Sequence, residues 1–292
     1  MARRSVFVSK AEYPFFEEIV VEIQWFGGFA LSQKRKCEIG LHRNFNKCYP
    51  TRKILEVSGA STNPLGKRLS AMNLTKEVVV DIGGTEHKGV ASVESVFQSS
   101  RIYDDGKEQI GPFSEYLMLP GKECKRLVKD ASKGLHSYRY FYENHYFYAP
   151  DYHISLFYDY VYMNALLEER NSEVMKSLID GGYSAFSDLA TLALNSQARS
   201  CAIFVGLYRA GLLDKIKSVD SYLKLFRTSR DGKPELGAYE NAQVFRNGKI
   251  NLLTEVVPCF YNKDDVIRIF NESYSHLSNK KDNSVFEPYL FD

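Results

Sequence analysis

The stretch Gly89–Arg101, GVASVESVFQSSR, carries the pattern on which the reading of the chain turns. Ser92 stands where a helix N-cap goes, since its hydroxyl can accept a free backbone N–H of the first turn. Glu94 follows inside that turn, where a carboxylate suits the positive end of the helix macrodipole. Glu94, Phe97, Gln98 and Arg101 are spaced i, i+3, i+4, i+7. A helix through them presents an acid, a ring, an amide and a cation on one face. Such a face can wall a nucleotide-sized anionic ligand. It can equally belong to a capped amphipathic helix whose glutamate serves only the dipole.

Outward from this stretch, period-two patterns alternate with longer helical ones. Ile19–Trp25 and Ile54–Ser58 read as short strands. Val78–Ile82 is a third, closed by Gly83-Gly84. Ser32 can cap a helix running to about Phe45. Gly106–Gly121 is a loop, and Lys122–Ser132 is helical and basic. Ile154–Leu167 is apolar nearly all round, the mark of a helix buried at the centre of a domain. Ser172–Ile179 is a short helix stopped by Gly181-Gly182, and Ser196 opens another apolar helix that ends near Gly211 or Leu213. These elements predict an α+β domain, predominantly helical with short strands, over residues 1–227. A polar break at Thr228–Gly237 then sets off residues 228–292 as a small C-terminal α/β accessory segment. It holds a hairpin over Gln243–Val257, turning at Asn247-Gly248, and a helix over Asp264–Leu277.

Composition excludes some classes. Of 292 residues, 44% are hydrophobic and 25% charged, ordinary for a globular protein. Aromatic content is 14% with a single tryptophan, Trp25. A net charge of +2 is not that of a general nucleic-acid binder, so any such contact needs a local basic patch. The amino end MARRSVFVSK has no apolar core of a signal peptide, and no run reaches the length of a membrane span. Cys37, Cys48, Cys124, Cys201 and Cys259 are scattered and odd in number, which suits reduced thiols in a cytoplasm. Neither they nor the dispersed histidines have the spacing of a metal site.

Three groups of residues invite a ligand. Lys34, Arg35 and Lys36 fall in the first turn after Ser32, where each cation opposes the dipole by about 0.3–1 kcal/mol. They read as a contact for an anionic partner such as a DNA backbone, or as a solvated charge cluster. Asn195, Gln197 and Arg199 open the Ser196 helix, whose amino end can hold a phosphate or a base edge. Simple capping by Asn195 or Ser196 is the other reading. Tyr138–Tyr148, YRYFYENHYFY, interleaves rings with Arg139 and His145, either a stacking platform for single-stranded DNA or the filling of a core.

The motif V-E-x-x-F-Q, preceded by LSAMNL (Leu69–Leu74), resembles the NADAR family of N-glycosidases. More narrowly, the chain is similar to NADAR antitoxins found beside DarT-type DNA ADP-ribosyltransferase toxins. The likeness runs from about Val21 to Phe226. It includes VEIQWFGGFALSQKRK (Val21–Lys36), ILEVSGAS (Ile54–Ser61) and LGKRLSAMNL (Leu65–Leu74). Further on it includes IGPFSEY (Ile110–Tyr116), FYDYVYMNAL (Phe157–Leu166), YSAFSD (Tyr183–Asp188) and NSQARSCAIFVGLYRAGLLD (Asn195–Asp214).

The resemblance implies a cytoplasmic hydrolase that removes ADP-ribose from guanine in single-stranded DNA, without a metal or other cofactor. It would release ADP-ribose and pair functionally with a DarT-like toxin. A non-catalytic module for ADP-ribose or a toxin is one alternative, and an N-glycosidase of free ribosylamino nucleotide intermediates is another. The resemblance makes Glu94 and Asp188 the catalytic acids, although on its local sequence alone Asp188 reads rather as an N-cap or Asx-turn. It gives ligand contacts to Asn73, Phe97, Gln98 and Arg101, the last as a bidentate partner of a pyrophosphate. The family pattern also holds a tryptophan between the two acidic motifs. This chain has none after Trp25, which leaves the place to a Tyr or Phe of Tyr138–Tyr148.

Overall fold

Ala2–Ser9 (β1) turns back onto Phe16–Ile23 (β2), and these two antiparallel strands centre the largest sheet. Their side chains alternate as the sequence requires. Val6, Val8, Ile19, Val21 and Ile23 enter one apolar cluster, while Phe7 and Phe16 enter another on the opposite face. β1 also pairs antiparallel with Ala185–Ser187 (β10), which pairs parallel with Ile54–Glu56 (β3). Val256–Val257 (β11) joins the free side of β2 in parallel, giving the order β11-β2-β1-β10-β3. The computed structural model describes residues 1–28, 30–82, 85–104, 108–135, 137–148, 154–189, 196–226 and 256–274.

Helices cover both faces. On one lie Leu31–Cys48 (α1) and Lys263–Tyr274 (α9), whose Val266 packs with Cys37, Leu41 and Phe45. On the other lie Ile154–Leu166 (α5) and Gln197–Arg209 (α7), around which the larger cluster forms. The close approach of α7 needs Gly206. A Cβ there would sit 2.3 Å from the Lys10 carbonyl oxygen and 2.5 Å from that of Phe15, in the β1–β2 turn.

Two smaller antiparallel sheets flank this core. Thr75–Ile82 (β4) and Thr85–Ser92 (β5) form a hairpin that runs into Val93–Ser99 (α3). Arg101–Asp104 (β6), Gln109–Ile110 (β7), Ser137–Tyr142 (β8) and His145–Tyr148 (β9) form a sheet in the order β7-β6-β8-β9. Pro64–Arg68 (α2), Gly121–Ala131 (α4), Ser172–Asp180 (α6) and Val219–Phe226 (α8) complete the helices among the described residues. The chain is an α+β fold, as its pattern predicts.

Several local expectations are corrected. The helix of Lys34 begins at Leu31 after Ala30, so Ser32 is inside the first turn and caps nothing. The segment Gly106–Gly121 is not loop throughout, since it contributes β7 and a 3-10 turn at Ser114–Tyr116. Helix α3 stops at Ser99, so Arg101 is not its i+7 residue but the first of β6. The Ser99 and Ser100 hydroxyls both donate to the Val96 carbonyl, at 3.3 and 2.8 Å, and compete with helix continuation. The turns at Gly83-Gly84 and Asn247-Gly248 and the stretch Thr228–Gly237 lie outside the described residues.

The described part of residues 228–292 packs on the main sheet. β11 extends it, and Val257, Val266 and Ile269 are buried. A chain ending at Arg227 is therefore expected to lose roughly 3–6 kcal/mol, the burial of two valine-sized side chains or more. Thermal unfolding of the two chains measures this. An unchanged midpoint would mark the tail as energetically separate.

Candidate active site

The carboxyl ends of adjacent parallel strands are the usual ligand edge of a sheet flanked by helices. Here β10 and β3 end together, with Ser187 opposite Glu56 and Asp188 next in the chain. Side-chain alternation divides this edge between the two faces.

On the α5–α7 face, Asp188 is buried, and its charge bears on Tyr158, Tyr162 and Cys201. Glu94 reaches the same Tyr158 from α3. Burial first, and then the charges of Glu94, Asp188 and Asp159, push the Tyr158 phenol well above its ordinary value, so it stays a neutral O–H donor. Ser92 caps α3 as its sequence predicts, accepting from the Ser95 N–H at 3.0 Å. Glu94 Oε1 accepts from Gln98 Nε2 at 2.8 Å, and among the described residues Oε2 accepts no hydrogen bond. Gly121 lies against this acid, since a Cβ there would be 3.0 Å from Glu94 Cβ.

Ala71 joins α3 to α7. Its carbonyl accepts the Glu94 N–H at 3.0 Å, and its N–H donates to Gln197 Oε1 at 2.8 Å. The amino ends of both helices thus meet at the LSAMNL turn. Ser196 precedes α7 without a side-chain cap, and its buried Oγ has no partner among the described residues.

Arg101 keeps the neighbourhood of Glu94 by a route other than a shared helix. Its guanidinium lies 4.9 Å from the Phe97 ring centroid, and Nη1 donates to Tyr103 Oη at 3.3 Å. Burial works against its charge, but Tyr140, Tyr103 and Glu94 outweigh that and leave its pKa raised. Its buried Nε has no acceptor among the described residues. Phe97 itself is a core ring, stacked on Tyr140 at 5.2 Å and edge-on to Tyr158 at 5.1 Å. Of the Tyr138–Tyr148 hairpin, Tyr140 and Phe147 fill the core while Tyr146 is exposed.

Other expected residues spread out. Asn73 is exposed and donates to the Lys67 carbonyl at 2.8 Å. Arg199 is buried and pairs with Asp159 of α5 at 3.0 Å. Asn195 lies outside the described residues. Lys34 is half-buried, and burial and the charge of Lys122 both lower its pKa, so these two cations stand near each other. Arg35 acts on Glu38, whereas Lys36 turns away to the rings of Phe26 and Phe270, at 5.7 and 5.1 Å.

The α1 face of the edge holds residues that the local sequence did not single out. Glu56 Oε2 accepts from Ser187 Oγ at 2.5 Å, and Oε1 from the Leu189 N–H at 3.0 Å. His42 Nε2 lies 3.0 Å from the same Ser187 Oγ. The order acid–serine–histidine puts the hydroxyl in the middle and fully buried, a strut rather than a nucleophile. Burial, then Glu38 and Asp188, raise the Glu56 carboxyl well above its usual range and favour its protonated form. Glu38 in turn accepts from Thr62 Oγ1 at 2.6 Å. The only local hint was an acid closing an apolar strand, ILE.

Among the described residues no group of His, Cys, Asp and Glu could hold a metal ion, and no helix is long and apolar enough to cross a membrane. A family model described as "DarT1-associated NADAR antitoxin" matches residues 2–235. The chain belongs to that family. No curated protein matches it.

His42 offers a test of the strut. Burial lowers its pKa from 6.5 to about 4, although part of the ring reaches the surface. Between those values the unfolded chain binds a proton that the folded chain does not, so this group makes stability rise with pH across that window. The stability advantage of wild type over His42→Gln is expected to grow from pH 4 to pH 6.5 and then level off. Chemical denaturation across that range measures it, and a difference independent of pH would show an imidazole titrating freely.

Proposed function

We propose that this protein is an N-glycosidase that removes ADP-ribose from guanine bases of DNA and so acts as the antitoxin of a DarT-like toxin. The observation that carries the reading is that one residue, Ala71, ties Glu94 to the uncapped amino end of α7, while the charges of both buried carboxylates, Glu94 and Asp188, act on the phenol of Tyr158. Membership of an antitoxin family supports the biological role.

In the reaction the bond between the ribose anomeric carbon and the base nitrogen breaks, and its electron pair leaves with the base. Positive charge develops on the anomeric carbon and ring oxygen, as in O-glycoside hydrolysis. Water adds to that carbon and gives up a proton. Glu94 suits the water, because Gln98 fixes Oε1 and leaves Oε2 to accept. Asp188 opposes the developing charge, and the Tyr158 O–H, on which both carboxylates act, can donate to the ribose or the departing base. Arg101 Nε and the α7 amino end are donors for the pyrophosphate. Lys34 and Lys122 supply cations for the DNA strand.

Release of ADP-ribose from guanine-ADP-ribosylated single-stranded DNA tests the reading directly. Glu94→Gln keeps the shape and the Gln98 contact but cannot take a proton. It is expected to slow release by about 10²–10⁴ while ADP-ribose affinity, measured by calorimetry, stays within a few-fold. Asp188→Asn should also be slow, with more residual activity. Turnover of Glu94→Gln close to wild type would overturn the catalytic assignment. ADP-ribose binding without any turnover in wild type would leave a binding module.

A further inference from the structure

Trp25, the single tryptophan of the chain, belongs to none of the chemistry above and is 38% exposed. Arg4 lies against it, with Cζ 4.1 Å from the ring centroid. Arg4 Nη1 donates to the Arg3 carbonyl at 2.8 Å, and its buried Nε has no acceptor among the described residues. Among the described residues no carboxylate pairs with this guanidinium, whereas neighbouring Arg3 is paired with Glu22 at 2.7 Å. Burial lowers the Arg4 pKa, so an anion beside it would relieve a real cost.

The position of the pair follows from the strand register. Val6 is opposite Ser187, and β1 runs antiparallel to β10, so Arg4 stands two places further along, at the edge where Asp188 emerges. β2 ends at Ile23 on that same edge, two residues before Trp25. α1 starts there too, bringing Lys34 and, beside it, Lys122, whose neighbour Gly121 touches Glu94. The exposed ring and the arginine without an acid thus stand on the α1 face of this edge, where Arg4 acts on Cys37, and Asp188 leaves the same edge toward the other face.

We infer that Trp25 and Arg4 form a subsite for one nucleotide of a single DNA strand, the base stacking on the indole and its phosphate meeting the guanidinium. The inference rests on the proposed activity only in placing this nucleotide beside the modified one. A single strand is required because the faces of a duplex base are already covered by its neighbours. Stacking on an aromatic side chain tolerates any base, so the subsite supplies affinity rather than sequence choice.

Because Trp25 is the sole tryptophan, fluorescence excited beyond tyrosine absorption reports this ring alone. Unmodified single-stranded oligonucleotide is expected to quench it saturably, while free ADP-ribose and duplex of the same sequence leave it unchanged. Trp25→Ala should weaken oligonucleotide binding, measured by anisotropy, about tenfold, and Trp25→Phe should recover part of the loss. Arg4→Gln should lower the log–log salt slope by about 0.7, one phosphate contact on a single strand. Quenching by ADP-ribose alone would give the ring to the ligand's adenine and overturn the inference. Binding of single strands without quenching, or equal quenching by duplex, would overturn it too. Quenching without hydrolysis of modified DNA would remove the proposed activity and leave the subsite standing.

Discussion

A buried ion pair between α5 and α7 sets the positions on which the site depends. Asp159 has no exposed surface, yet it lies in the middle of an otherwise apolar helix. Its Oδ2 accepts from Arg199 Nη2 at 3.0 Å and its Oδ1 from Ser200 Oγ at 2.6 Å. Two apolar helices can slide past each other at little cost in buried area. A charge pair this deep cannot, because one step of slippage would leave an uncompensated ion in a low-dielectric core. The contact therefore contributes register more than stability. Tyr158 precedes Asp159, and Gln197 lies two residues before Arg199, so the same register fixes both the phenol that the two carboxylates act on and the α7 amino end at Ala71. Glu18 of β2 also faces Arg199, and burial raises its carboxyl to about 7, so near neutrality the guanidinium answers mainly to Asp159.

What was legible in the sequence was local. Ser92 caps α3 and Glu94 stands in its first turn because both effects act within four residues. The apolar sweep of Ile154–Leu167 announced a central helix for the same reason. Arg101 shows the limit of such reasoning. A helical wheel joins it to Glu94 through seven residues, but two consecutive serines turn their hydroxyls on the helix backbone and a strand begins. Arg101 still lies over Phe97, held there by pairing with Tyr140 across the sheet rather than by helical spacing.

What was not legible depends on contacts between distant parts of the chain. Glu38 meets Thr62, Glu56 and His42 meet Ser187, and Asp159 meets Arg199. Each is an ordinary residue in its own segment and acquires a role only when strands and helices are laid side by side. Lys34, Arg35 and Lys36 fail as a unit for a simpler reason. Consecutive helical residues point about 100° apart, so three adjacent cations cannot share one face. One joins Lys122, one acts on Glu38, and one rests on aromatic rings.

The arrangement of charge at the sheet edge follows from a conflict in the proposed chemistry. Carboxylates that stabilise a cationic sugar also repel the phosphates that must approach them. A nearly neutral protein has no general positive field to overcome this. Here the conflict is eased in two ways at one edge. On the α1 face burial and neighbouring charge favour the protonated form of Glu56, which lessens the negative charge at this edge. Around the rim Arg4, Lys34 and Lys122 bring cations within reach of a strand. In the proposed chemistry these side chains meet the backbone while Glu94 and Asp188 act on the sugar. Separating the charges in this way requires that both faces of the sheet end together, which the parallel pairing of β3 with β10 provides.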